Sequence, residues 1–313
     1  MSRLAVEVAE QPAVLAAVLA AQPEPLAEAR AAVRHAHRVF LVGIGSSRHV
    51  ASYGAACLEA LSPVSGQLLA APGAGVPTPV FRAGDVVVAV SQSGRTPALL
   101  DLARGATVSG AQLISVTNAE DSPLQSLAAV ALRTFAGAEL VVPATKSVTA
   151  SMLLLRALAA PVDPADLDRL CATLTALAAL SVTTTLPAVV LAGGFAAEAV
   201  SDEVALKLAE VTAHLAVAET LVDFLHGPAA VAAPALALLD PSDGNTALLH
   251  DRPDVLRVGT DPAYDVVVEG CGDPTLDAIA LVVAGQRLAL HWAARLGLDP
   301  DDPRGLAKVT LTR

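Results

Sequence analysis

Ser91-Gln92-Ser93-Gly94-Arg95-Thr96 gathers hydroxyls, a side-chain amide and a glycine directly after the apolar run Val86-Val87-Val88-Ala89-Val90. The run reads as a buried strand, and Pro97 followed by apolar residues at helical spacing reads as a helix start. A strand that turns through hydroxyl residues into a helix collects N–H groups at the positive helix end, a setting suited to a phosphate monoester. The same pattern describes an ordinary capped turn. Gln92 between two serines favours a binding loop, because capping has no use for a side-chain amide there. A second turn, Gly43-Ile44-Gly45-Ser46-Ser47, follows the apolar run Arg38-Val39-Phe40-Leu41-Val42. Its two glycines allow a tight turn, and Ser46 and Ser47 stand where a helix should open. A dinucleotide fingerprint would need a further glycine at position 48, which is Arg48, so nucleotide binding is disfavoured.

Acid–base chemistry has its own candidates. Lys207 and Glu210 are three apart in a helical pattern, so they share a face. Spacing alone describes a surface ion pair. Ala205, Leu206, Leu208, Ala209, Val211 and Ala213 make that helix apolar nearly all round, which points to partial burial and a perturbed proton affinity. His226, in His226-Gly227-Pro228, is the one group nearby that titrates near neutral pH; taken alone it reads as a loop residue. The stretch Asp301-Asp302-Pro303-Arg304-Gly305-Leu306-Ala307-Lys308-Val309-Thr310 reads as a frayed polar tail with an internal lysine, Lys308, near its end.

These residues need a scaffold, and the pattern supplies one. Helices fill residues 4 to 37, with Pro12, Pro23 and Pro25 at starts or breaks. Strands are expected at 38–42, 86–90 and 111–116, with a helix running to Glu59 and another from Pro143-Ala144-Thr145-Lys146-Ser147 to about Ala160. Pro161 to Asp166 is the expected linker. Beyond it the alternation restarts: strand 186–192 ended by Gly193-Gly194, helix 195–215, strands 235–239, 255–258 and 264–269, and a last helix from about Asp277 to Leu296. Alternating apolar strands and helices indicate an α/β fold of parallel sheets flanked by helices on both faces, doubly wound, in two copies of one unit. Ligand loops then belong at the carboxyl ends of the strands.

Composition narrows the function. The chain has 313 residues, room for two domains, and with 54% hydrophobic but 3% aromatic residues its cores are built from Ala, Val and Leu. A net charge of -11 without basic clusters argues against nucleic acid and anionic membranes as partners. Cys57, Cys171 and Cys271 lie far apart, so neither a disulfide framework nor a metal site is indicated, and a reducing cytoplasm is expected. Early Glu7 and Glu10 are wrong for a secretory signal. The hydropathic region Leu174 to Val200 is interrupted by Thr183-Thr184-Thr185, Pro187 and Gly193-Gly194, so it reads as helix end, turn and strand rather than a membrane span.

Taken together the chain resembles the SIS (sugar isomerase) family, specifically the isomerase part of glucosamine-6-phosphate synthase and the glucosamine-6-phosphate deaminases of sugar-isomerase type. Seven segments carry the resemblance in order: Glu7-Val8-Ala9-Glu10-Gln11-Pro12, Gly43 to Ser47, Ser91 to Thr96, Glu139 to Lys146, Ala205 to Glu210, His226 to Pro228, and Pro303 to Thr310. It implies two tandem SIS domains of flavodoxin-like winding, 1–162 and 163–313, the second carrying a tail over the site. It implies a phosphate site at Ser47, Ser91, Gln92, Ser93 and Thr96, with substrate contacts at Val142 and Ala144. Glu210 falls on the base that moves a proton between C1 and C2, with Lys207 beside it. His226 falls on a ring-opening histidine contributed across a homodimer interface, and Lys308 on a lysine that meets the sugar carbonyl.

The departures shape the expected reaction. No glutaminase segment precedes residue 1, so glutamine is not the expected ammonia source and synthase activity is disfavoured. Ala144 replaces a serine of the synthases, and Pro143 to Ser147 looks more like the deaminase branch. Val204 stands where the synthases have glycine, and Gly194 where they have arginine. The resemblance therefore implies an enzyme without cofactor that converts an aminosugar 6-phosphate, foremost glucosamine 6-phosphate, into fructose 6-phosphate and ammonia. Another ketose/aldose-phosphate isomerase, a fructosamine-6-phosphate deglycase and a non-catalytic sugar-phosphate sensor are the alternatives.

Overall fold

The computed structural model describes residues 2–73, 75–231 and 233–306. Three helices open the chain: α1 (Arg3–Ala9), α2 (Gln11–Val18) and α3 (Pro23–His35). Pro12 and Pro23 sit in first turns, where a missing N–H breaks no helical bond. There follow β1 (Arg38–Val42), α4 (Ser46–Leu61), β2 (Gly66–Leu68), β3 (Asp85–Val90), α5 (Pro97–Val108), β4 (Gln112–Thr117), α6 (Pro123–Leu127), β5 (Val130–Arg133) and α7 (Lys146–Ala159). The five strands form one sheet in the order β2-β1-β3-β4-β5, every pair parallel.

The remainder is α8 (Pro164–Ala176), β6 (Val189–Gly193), α9 (Ala197–Thr212), β7 (Val217–Thr220), α10 (Leu221–Leu225), β8 (Ala235–Leu239), β9 (Val255–Gly259), β10 (Val266–Val267) and α11 (Pro274–Arg295). Its strands form a second parallel sheet, ordered β10-β9-β8-β6-β7. From the β7 edge this is again second, first, third, fourth, fifth. Each sheet therefore reverses its winding between its first and third strands, which makes that crevice the place for a ligand. Cα proximity divides the described chain into two compact units, one of residues 2–12, 140–145 and 164–306, the other of residues 13–139 and 146–163.

Burial follows from helices covering both sheet faces. Every residue of β3 and of β8 is buried, which their unbroken Val, Ala and Leu permit. One core of the first sheet joins Phe40, Val87, Leu99, Leu113 and Leu124, and Phe40 meets Phe81 edge to face with centroids 5.4 Å apart. Leu191, Leu221, Phe224 and Leu239 anchor a core of the second. All of α7 is buried, Arg156 included, whose Nη1 donates to the Ala160 and Pro161 carbonyls at 2.8 and 3.2 Å.

Two expected elements shrink. The strand expected over 264–269 pairs only at Val266 and Val267. The helix expected over 195–215 is cut at both ends by residues in left-handed conformation, Ala196 (φ 53°) and Ala213 (φ 52°). Part of the expected linker is helical, since α8 starts at Pro164. The Leu174 to Val200 region holds the end of α8, a 3-10 turn at Leu177–Ala179, β6 and the start of α9. Among the described residues, no single helix is long and apolar enough to cross a membrane.

Candidate functional site

The two hydroxyl-bearing turns leave neighbouring strands. β1 and β3 pair with Val42 opposite Ala89, so Gly43–Ser47 and Ser91–Thr96 both emerge at carboxyl ends, where the first sheet reverses its winding. Gly43 is required by a close approach: a Cβ there would lie 2.2 Å from the Ser47 carbonyl oxygen. Gly45 takes φ 59° and ψ -134°, a combination open to glycine. The chain can therefore lie flat against the first turn of α4, bringing half-buried Ser47 to the mouth of the helix.

The second loop is held from within. The Gly94 N–H donates to the Ser91 carbonyl (3.2 Å) and to Ser91 Oγ (3.1 Å). The Asn118 and Ala119 N–H groups donate to the Gln92 carbonyl at 3.0 and 3.1 Å, tying the loop to the end of β4. Gln92, Ser93 and Thr96 are half-buried, and Ser91 is buried. Thr96 occupies the N-cap position of α5, yet its hydroxyl makes no capping bond, and Gly45 gives α4 no side-chain cap either. Two helices of sixteen and twelve residues thus start at one crevice with no side-chain cap from their N-cap residues, Gly45 and Thr96. Helix starts of this kind suit a tetrahedral anion.

The charged group on α9 lies in the other unit. Lys207 is 2% exposed, Glu203 1% and Glu210 13%. Lys207 Nζ lies 2.5 Å from Glu210 Oε2, three residues on, and 3.5 Å from Glu203 Oε1, four residues back. The surface ion pair that spacing suggests is thus a buried arrangement of one ammonium and two carboxylates. Out of water such charges persist only when each satisfies the other, and the lysine fixes the orientation of Glu210. Glu203 completes the group; the sequence resemblance matches it to a helix glutamate of the synthases without giving it a role, and its place one turn before Lys207 in an apolar helix was the available signal.

His226 is exposed and caps the carboxyl end of α10. It follows the carboxyl end of β7, whereas the Glu210 end of α9 precedes the amino end of that strand. Four strand residues at about 3.3 Å each set the two ends of β7 roughly 13 Å apart. One copy of the unit therefore keeps His226 and Glu210 at opposite ends of β7. Val142 and Ala144 are half-buried in an irregular segment, with Val141, Pro143 and Thr145 buried between and around them. Beside it, the Ser147 N–H and hydroxyl donate to the buried Glu139 carboxylate at 3.1 and 2.6 Å, so Glu139 covers the first turn of α7. Glu139 belonged to a matched segment but was assigned no role. Lys308 lies outside the described residues. Among the described residues, no group of three or more His, Cys, Asp or Glu could hold a metal ion.

Residues 32–161, which contain both hydroxyl turns, match the family model described as the SIS domain. The chain therefore carries a SIS domain. Glutamine–fructose-6-phosphate aminotransferases (isomerizing) of Aeropyrum pernix and Pyrobaculum aerophilum are each 32% identical to it over 97% of its length. The chain spans 56% of each of those relatives. Among solved structures, a candidate phosphosugar isomerase of Silicibacter pomeroyi is 28% identical, with a TM-score of 0.84 covering 96% of this chain and all of the other. Glucosamine-6-phosphate deaminase of Thermotoga maritima, 20% identical, shares the fold with a TM-score of 0.79 over 99% of this chain and all of the other. Both SIS-domain turns singled out for their hydroxyls fall at the winding reversal of the matched region.

Proposed function

We propose that this chain is a phosphosugar isomerase and deaminase that converts an aminosugar 6-phosphate, foremost glucosamine 6-phosphate, into fructose 6-phosphate and ammonia. The observation that carries the reading is the buried lysine held between Glu203 and Glu210, a carboxylate oriented for proton transfer on a protein whose uncapped serine turns suit a phosphate. The names of the relatives support the same substrate class. The proposed architecture is two tandem SIS domains, 1–162 and 163–313, and the repeated strand order supports it.

In this reading Ser47, Ser91, Gln92, Ser93 and Thr96 take the phosphate, supplying binding energy remote from the reacting carbons. Val142 and Ala144 contact the sugar. His226 of a partner copy in a homodimer assists ring opening, a role supported by its exposure and its separation from Glu210 along β7. Glu210 removes the proton from C2 of the open-chain aldehyde as O1 gains a proton, giving an enolamine, and returns it to C1 as the amino nitrogen gives one up. The product is an imine at C2, which water cleaves to the ketone and ammonia. Lys207 holds Glu210 in place, and Lys308 meets the carbonyl. The absence of any paired cysteine among the described residues fits action in the cytoplasm.

The test is to incubate the protein with glucosamine 6-phosphate and follow ammonia and fructose 6-phosphate together. Both should appear in equal amounts. Glu210→Gln should lower turnover about 10²–10⁴-fold while leaving binding of the phosphate ester in place. Binding of the ester by the wild type without either product refutes the enzyme and leaves a sensor.

A further inference from the structure

The segment Glu7 to Pro12 is one of the seven that carry the sequence resemblance, yet no step above uses it. Its polar side chains are nevertheless buried: Glu7 is 3% exposed and Gln11 is fully shielded. Three elements of the same unit grip α1 and its continuation. Asp301 accepts from the Arg3 and Leu4 N–H groups with its two oxygens, at 2.6 and 2.8 Å, covering the start of α1. Gln11 Nε2 donates to Gln286 Oε1 on α11 at 2.9 Å. Between these anchors, Glu7 Oε1 accepts from the Leu140 main-chain N–H at 2.6 Å. Glu7 and Gln11 are four residues apart, so one face of the segment carries both contacts.

Leu140 opens the stretch in which Val142 and Ala144 lie. Its own side chain is 61% exposed and cannot seat the stretch by apolar packing. Beyond it Val141, Pro143 and Thr145 are buried while Val142 and Ala144 are more open. In a chain with this two-residue alternation, a slip by one position exchanges the buried set for the open one. A charge-assisted bond to the first N–H of the stretch fixes that register.

We infer that Glu7 is a positioning residue: through the Leu140 N–H it sets which side chains and carbonyls of residues 140–145 are presented to the sugar. The inference rests on the aminosugar-phosphate reading above. Glu7→Gln keeps an oxygen that accepts the same N–H, Glu7→Ala removes it, and Glu7→Asp keeps the charge while shortening its reach.

The experiment pairs amide hydrogen exchange of residues 140–145 with steady-state kinetics on glucosamine 6-phosphate. Faster exchange is expected in Glu7→Ala and Glu7→Asp but not in Glu7→Gln. KM should rise about tenfold in the first two with kcat within about threefold of wild type, and Glu7→Gln should recover both. Where Glu7→Ala does not fold, Glu7→Asp carries the comparison. Unchanged exchange in the folded variants overturns the inference, and so does faster exchange with unchanged KM. Failure of the wild type to turn over the sugar is a separate result, against the reaction. Affinity for fructose 6-phosphate by calorimetry then replaces KM, and a Glu7→Ala affinity equal to wild type overturns the positioning role.

Discussion

Gly285→Ala tests how tightly the scaffold holds the charged group on α9. Gly285 lies on α11 where a Cβ would sit 2.3 Å from Val204 Cγ2, 2.6 Å from Cγ1 and 3.0 Å from Cβ. Val204 is fully buried and, being β-branched in a helix, has essentially one rotamer, so it cannot swing aside. Alanine is favoured over glycine in a helix interior by about 1 kcal/mol. Overpacking of a filled core costs about 1–3 kcal/mol, and three contacts this short draw on the top of that range. The variant should therefore lose about 2 kcal/mol, and α9 should shift, carrying Glu203, Lys207 and Glu210 with it. Val204→Ala alone should cost about 2 kcal/mol through the space it leaves. In the double variant the added methyl fills that space, so the loss should be only about 1 kcal/mol, a coupling near 3 kcal/mol. Urea midpoints at constant slope measure these terms, and sugar-phosphate turnover should fall in Gly285→Ala and partly return in the pair. A Gly285→Ala protein more stable than wild type, or single effects that simply add, refutes the reasoning.

Three further outcomes follow from the geometry. Gly94→Ala combines a positive φ of 61° with a Cβ 2.2 Å from Ser122 Oγ, the residue that caps α6, so it should weaken fructose 6-phosphate binding at least about tenfold by calorimetry; unchanged affinity would separate this loop from the phosphate. Arg38 holds Asp85 through Nε (2.9 Å) and Nη2 (2.5 Å), and mainly through these bonds keeps that carboxyl below the usual carboxylate range despite burial. A carboxyl with a depressed folded pKa stabilises above its unfolded pKa near 3.9 and ceases to as pH falls through the folded value. The gap in urea midpoint between wild type and Arg38→Met should therefore be full at pH 7 and narrow progressively as pH falls below about 3.9; a gap that does not narrow there contradicts the pairing. Cys271 donates its thiol to Asp277 Oδ1 at 2.9 Å, and burial first, then Asp277, push the thiol up to about 12. Iodoacetamide at pH 8 should leave Cys271 unmodified in native protein by peptide mapping, and rapid labelling would contradict this environment.

The parts of the fold legible in the sequence are the central strands. β1, β3, β4, β6, β8 and β9 are flanked on both sides in their sheets and read as mostly apolar runs, with Ser115 in β4 and Arg257 in β9 as interruptions, because helices shield both faces. The unrecognised strands β2, β5 and β7 are all sheet edges, and β10, the fourth edge, shrinks to two residues. An edge strand pairs on one side only and is partly exposed, so Gly66–Leu68 or Val217–Thr220 carries too few apolar residues to stand out from a loop. The site divides in the same way. The serine turns and the Lys207–Glu210 pair were visible because donors or charges interrupt apolar runs. The role of Glu7 was not, because it accepts from the Leu140 main-chain N–H, a group every residue but proline possesses and no pattern of side chains reveals.

The bond between the Arg3 N–H and Asp301 spans 298 positions of the chain. At translation rates of about 5–20 residues per second, α1 is made roughly 15–60 s before the carboxylate that covers its first turn. Through that interval a seven-residue helix, too short to persist in water unaided, lacks the carboxylate that covers its first turn. Synthesis therefore makes α1 well ahead of the group that completes its seat, and its first turn is covered only once residue 301 has been added.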